Sequence, residues 1–375
     1  MKRLVLLGAG HAHMVALQHF ARHPLPDTEL VVITPSSWQY YSGMIPGWVA
    51  GHYRLDQCRV PVEPMVTAAG GQLVLDRADG LKAKEQVITL ASGKRLTYDF
   101  LSIDVGSASN SVPGCPGAEA AMVGVKPIER FAETWQQASS SLDTRQGPCV
   151  AVLGGGAGGA ELAMAIARWL EGQGGAYVVL VAGGKGAVPD FRPRFRRLAH
   201  RALVRSGVEV IEDYGEPLAN GVHLGRGGDI RADVVLVSTG AKALPFLANS
   251  DLATDEAGFV SVDACHRSTS HPNVFAAGDA CARVDRRLDR SGVHAVRAGP
   301  ILARNLAAAV CDEPLKRFYP RRFSLYLLAS GDQTAIGSYG PLTFSGAWVW
   351  RWKDRIDRGF VDSFPEVEQV AGGGH

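Results

Sequence analysis

The chain has 375 residues, of which 46% are hydrophobic and 20% charged, with a formal net charge of +2. That is enough apolar side chain for large cores in two or three domains, and the near-neutral balance offers nucleic acid no basic face. Six scattered cysteines without a CxxC pair exclude a zinc site or a secreted disulfide framework, and no run of about 20 apolar residues reads as a bilayer span, so a cytoplasmic protein is expected.

In chain order, KRLVLLGAGHAHMVALQHF predicts a buried strand, a tight glycine turn and a helix, and ELVVIT adds a second strand that completes a βαβ unit by about Thr34. Lys2 and Arg3 before the apolar run imitate a secretory leader, but the run is only a strand long and stops at Gly8 without a cleavage site. SSWQYYSGMIPGWVAGHY reads as an ordered loop, and Ser92-Gly93 as a hairpin turn between KEQVITL and KRLTYDF. Pro113, Gly114, Pro116 and Gly117 mark a domain boundary. PCVAVLGGGAGGAELAMAIARWL then repeats the strand, turn and helix, with Gly154 standing 146 positions after Gly8. AYVVLVAG and DVVLVSTG supply further strands of this second unit. The basic run RPRFRRLAHRALVR carries Phe195, Leu198, Ala202 and Leu203 at helical spacing and reads as the solvated side of an amphipathic helix.

Each glycine turn offers a dinucleotide pyrophosphate the unpaired N–H groups and positive dipole end of a helix. The first has Gly8 and Gly10 but places His13 where a third glycine gives close helix-to-strand packing, so a small neighbour or the ligand must accommodate the imidazole. A metal site on His11 and His13 is disfavoured, because residues two apart on a helix point to different sides. At the end of ELVVIT, Thr34 replaces the acidic residue that accepts hydrogen bonds from an adenosine ribose. The second turn has all three glycines, Gly154, Gly156 and Gly159, yet its next strand ends in VAGGKG, with neither the acid that selects NAD nor an arginine for a 2′-phosphate.

The ordered set GAGHAH, YSGMIPG, YDFLSIDVGS, GGGAGGAELA, VSTG and VFAAGDA resembles the flavoprotein pyridine-nucleotide oxidoreductases with two dinucleotide domains, over nearly the whole chain. Within them it is most similar to the type II NADH dehydrogenase and sulfide:quinone oxidoreductase branch, and GAGHAH with YSGMIPGWVAGHY and WRWKDRIDR resembles a flavin module fused elsewhere to selenophosphate synthase. The resemblance implies an α/β fold of two Rossmann-like domains of the three-layer ββα type: residues 1–115 and 241–320 binding FAD, 116–240 binding NAD(P)H, and 321–375 a C-terminal region.

By the same resemblance, the FAD site takes Gly8, Gly10, His11, His13, Thr34, Ser42, Gly43, Met44, Pro46, Ala78 and Gly106. It also takes Gly278 and Asp279, the latter receiving a ribityl hydroxyl, and the helix start at His294 and Ala295 aimed at the flavin pyrimidine ring. Gly154, Gly156, Gly159 and Glu161 would form the nicotinamide site, with Glu161 in the first helical turn. The implied activity is hydride transfer from NAD(P)H to flavin and electron transfer to a second acceptor, a quinone or another small electron acceptor. Oxidation of a sulfur or selenium compound and a non-catalytic flavin-binding role are the alternatives. Hydride transfer needs no acid or base, so no catalytic side chain is assigned, and no cysteine lies in SWQYYSGMIPGWVAG to form a dithiol relay. In the tail, Trp348, Trp352 and Ile356 would share one helical side flanked by Arg351, Arg355 and Arg358: a membrane-surface face, a homodimer face, or a tail packed on the flavin domain, the last being favoured.

Overall fold

Lys2–Leu7 is apolar from Leu4 onward, and it lies at the centre of a five-stranded parallel sheet ordered Val274–Ala276, Phe100–Ile103, Lys2–Leu7, Thr28–Thr34, Gln72–Leu75. A strand buried on both faces alternates its side chains between two cores. Leu4 and Leu6 pack with Leu17, Phe20 and Leu306 of the helices His11–Arg22 and Gly292–Val310, while Val5 and Leu7 pack with Leu81 and Ile88 of a three-stranded antiparallel sheet. In that small sheet Val87–Leu90 pairs with Arg95–Thr97, and the expected turn is there, with Gly93 at φ +84°.

The second unit repeats the design. Its sheet runs Ala121–Gly124, Val234–Val237, Cys149–Leu153, Tyr177–Val181, Val208–Ile211, all parallel. Val150 and Val152 face the helix side, and Ala151 and Leu153 face a second antiparallel sheet through Val222 and Ile230. The helix Pro193–Arg205 buries Phe195, Ala199, Ala202 and Leu203 and turns its arginines outward, as its spacing predicts.

A third layer follows: antiparallel strands Leu325–Ala329, Ala335–Tyr339 and Leu342–Gly346, then the helix Ala347–Val361. The helix packs through Val349, Lys353 and Asp357, which leaves Trp348, Trp352 and Ile356 at 51, 40 and 41% exposure. Trp348 and Trp352 stack on each other and on Phe344. The helix is thus buried through its opposite face, and the tryptophan stripe itself points outward.

The segment read as a loop after Thr34 contains a short strand, Trp38–Tyr40, paired with Arg59–Pro61, and a one-turn helix, Ile45–Val49, in which Pro46 occupies the first turn. Proline is tolerated there because the first N–H groups of a helix have no internal partner. This computed structural model describes residues 1–109, 120–143, 147–171, 176–289 and 292–364, so the proline- and glycine-rich boundary signal lies outside the described residues. Among the described residues no helix is long and apolar enough to cross a membrane.

Candidate dinucleotide site

The first glycine turn is built around Asp104. Gly8 sits at φ +89°, open to glycine but strained for other residues, and a side chain there would collide with the Asp104 backbone. Gly10 N donates to Asp104 O at 3.1 Å. The Asp104 carboxylate turns into the helix end, where Oδ2 accepts from Ala12 N at 2.8 Å and His13 N at 3.0 Å. His13 does not reach the cleft. It is fully buried; Nδ1 donates to Gly8 O at 2.5 Å, which leaves Nε2 to accept from the Ser102 hydroxyl at 2.7 Å. The imidazole thus fills the space opened by a small residue, Ser102, on the neighbouring strand, and burial pushes its pKa below the ordinary histidine value.

At the other end of this unit Gly278, at φ +62°, brings its backbone up to Asp104, and Asp279 turns to Lys126. Lys126 Nζ donates to Asp279 Oδ2 at 2.5 Å and to Ser107 Oγ at 3.0 Å, and Ser107 Oγ donates to the same carboxylate at 3.2 Å. Asp279 therefore presents a carboxylate held in place by Lys126 and Ser107. His11 Nε2 and His294 Nδ1 are buried without hydrogen-bond partners among the described residues, and both side chains line the same cleft.

In the second unit, Gly154 at φ +120° crosses the Ser238 backbone as Gly8 crosses Asp104. Gly159 packs directly on the Gly154 carbonyl, where any side chain would overlap it, which is the close-packing role of a third glycine. A Cβ on Gly156 would meet nothing within 4 Å. Gly156 caps the helix Ala157–Trp169, which places Glu161 in the second turn and not the first. Dipole compensation falls off within one turn, so the carboxyl has another role. Its Oε1 accepts from Ala329 N at 2.7 Å, and burial pushes its pKa up to about 7 against the opposing pull of Lys353.

The two turns open into one cleft of ≈ 1630 Å³. Gly8, Gly10, His11, Thr34, Ser42, Gly43, Pro46, Ala78, Gly106, Gly278, Asp279, His294 and Ala295 line it from the first unit, and Gly156 and Glu161 from the second. Four expected residues do not. His13, Gly154 and Gly159 pack behind the turns, and Met44, at 1% exposure, points into the core because it precedes the helix Ile45–Val49 on its buried side. Asp76 and Asp79 also line the cleft near Thr34 and were not foreseen. Asp76 N donates to Thr34 O at 3.0 Å, so the next strand delivers a carboxylate beside the position where Thr34 stands.

Residues 2–299 match the sequence model of the pyridine nucleotide-disulphide oxidoreductases. The chain belongs to that family. An NADH dehydrogenase-like protein of Mycobacterium tuberculosis is 26% identical over 308 residues, covering 76% of this chain and 74% of its own. Among solved structures, the sulfide:quinone oxidoreductase of Aquifex aeolicus is similar at a TM-score of 0.76 and 17% identity, covering 97% of this chain and 92% of that one. NDH2 of Plasmodium falciparum, solved with NADH, is similar at 0.78 and 12% identity over 96% of this chain and 98% of that one.

A member of the pyridine nucleotide-disulphide oxidoreductases is an oxidoreductase that works with FAD and NAD(P)H. The residues present suit FAD at the first turn, since a long cleft joins the Gly8–Gly10 turn to Asp279, and it is lined by His11 and His294, each of which keeps a buried ring nitrogen without a hydrogen-bond partner among the described residues. Asp104 alone departs from an open pyrophosphate cradle. No cysteine lines the cleft among the described residues. Cys58 is buried with its thiol pushed up to about 12 by desolvation, and Cys149 is pushed up to about 11. Such thiols stay protonated and make poor redox nucleophiles.

Proposed function

We propose that this oxidoreductase takes a hydride from NAD(P)H and passes the electrons to a quinone. The supporting observation is the single cleft, in which the Gly8–Gly10 turn with Asp279 and the Gly156 turn with Glu161 face a common space. Bound FAD supplies the two-electron relay between the nicotinamide and the acceptor. The chain's own part is positional. Gly156 leaves room for a pyrophosphate, Ser42, Gly43 and Pro46 wall the space between the two turns, and Asp279 holds a fixed acceptor against Lys126. In this reading residues 1–115 and 241–320 bind FAD, 116–240 bind NAD(P)H and 321–375 form the C-terminal region. Trp348, Trp352 and Ile356, with Arg351 and Arg355 exposed beside them, are the surface that meets the membrane holding the quinone.

The test is anaerobic. Purified protein, reconstituted with FAD if colourless, receives NADH, NADPH or sulfide separately, and the visible spectrum is followed before a quinone is added. Bleaching by a nicotinamide nucleotide and recovery of colour with the quinone support the proposal. Bleaching by sulfide, with none from either nucleotide, replaces it by oxidation of a sulfur or selenium compound.

A further inference from the structure

The two units allow a comparison within one chain. Ile103 pairs with Leu7 and Val237 pairs with Leu153, so Asp104 and Ser238 are matched positions, each following the strand beside its glycine turn. Their backbones do the same work, since a Cβ on Gly8 or on Gly154 would overlap the carbonyl of its partner. Their side chains do not. The Asp104 carboxylate fills the space beside Gly10, touches Gly278, and takes two N–H groups of the helix at 2.8 and 3.0 Å. It is 3% exposed at the base of the cleft. Beside Gly156 the corresponding space is open, and Ser238 Oγ reaches no closer than 3.9 Å to where a Cβ on Gly158 would lie.

A helix N-terminus binds pyrophosphate through those N–H groups and its partial positive charge. In the first unit a fixed carboxylate already occupies two of them and places a negative charge at the cradle. Two anions competing for the same donors in a buried setting weaken each other's binding. We propose that Asp104 is an affinity-setting residue: an internal anion that caps the first helix in place of the ligand and keeps FAD weakly held through its pyrophosphate, so that the flavin depends on contacts at its ends and can exchange. The inference rests on the proposed placement of FAD in the first unit.

The experiment uses full-length wild type, Asp104→Asn and Asp104→Ser stripped of nucleotide. Asn keeps an oxygen for the helix and loses the charge, and Ser copies the second unit. FAD dissociation constants are measured by quenching of flavin fluorescence, together with the melting temperature of the FAD-free protein. Both variants are expected to bind FAD about tenfold more tightly or better. Ser, which gives up the cap, is expected to melt about 2–4 °C lower when FAD-free. The reciprocal Ser238→Asp should weaken NADH binding by about tenfold, measured by titration of the FAD-loaded protein. Equal or weaker FAD binding by a folded Asp104→Asn overturns the inference while leaving the FAD reading intact. Failure of wild type and both variants to bind FAD overturns both.

Discussion

Lys353 Nζ donates to the Gly43 carbonyl at 2.6 Å, across 310 positions of sequence, and so ties the C-terminal helix to the loop that lines the cleft. The same ammonium pairs with Asp357 Oδ2 at 2.6 Å, and both side chains are buried. Burial pulls the lysine pKa down, but Asp357, Glu161 and Asp354 together raise it by more, so it stays charged.

Replacing Lys353 by Met leaves the Asp357 carboxylate buried without its counter-ion. Breaking one side of such a pair costs about 3–5 kcal/mol, whereas removing both partners costs much less. Urea unfolding of Lys353→Met and of Lys353→Met/Asp357→Leu should show a large loss in the first and a smaller one in the second. Equal losses would mean that the pair contributes only as packing.

Glu161 gives stability a pH dependence of known sign. Its carboxyl is raised to about 7 in the fold and lies near the ordinary value when unfolded, so between roughly pH 4.5 and 7 the folded state holds the extra proton. Stability from this group is full below the unfolded value and is lost as pH rises to about 7. Glu161→Gln should flatten the fall in melting temperature from pH 5 to pH 8, and an unchanged slope would argue that the carboxyl is ionised throughout.

Asp279→Ala should weaken FAD binding about tenfold or more, because a charged acceptor of a hydroxyl contributes about 1.5–3 kcal/mol. The variant also leaves Lys126 without the carboxylate it now contacts at 2.5 Å. Asp279→Asn separates the two effects by keeping an acceptor oxygen and removing the charge. FAD retention by both variants at the wild-type level would remove Asp279 from the site.

The stripe of Trp348 and Trp352 should carry membrane attachment. Changing both to Ser is expected to abolish cosedimentation with vesicles containing anionic lipid, while turnover with a water-soluble quinone persists. Cosedimentation that survives the change would place the contact elsewhere.

Both glycine turns were legible in the sequence because their glycines answer steric demands: Gly8 and Gly154 take positive φ, and Gly159 has no room for a side chain. The repeated strands were legible as buried apolar runs. Asp104 was not, since one acid after a strand looks ordinary; setting SIDVG beside LVSTG would have exposed it as the difference between the units. Nor could spacing reveal that Lys353 reaches Gly43, because that contact depends on how the C-terminal helix docks. Glu161 was placed one turn too early, an error set by where the helix cap falls.

Gly156→Val tests the central claim of hydride delivery from the second turn most directly. Gly156 has φ −65° and ψ 173°, a conformation valine accepts, and its Cβ would meet nothing within 4 Å, so the variant should fold and keep its FAD. Its side chain would fill the space left for the nicotinamide nucleotide's pyrophosphate. Mixed anaerobically with millimolar NADH or NADPH, wild type should bleach and Gly156→Val should stay yellow, although dithionite reduces both. Bleaching of the variant at the wild-type rate, or no bleaching of wild type by either nucleotide, would contradict it.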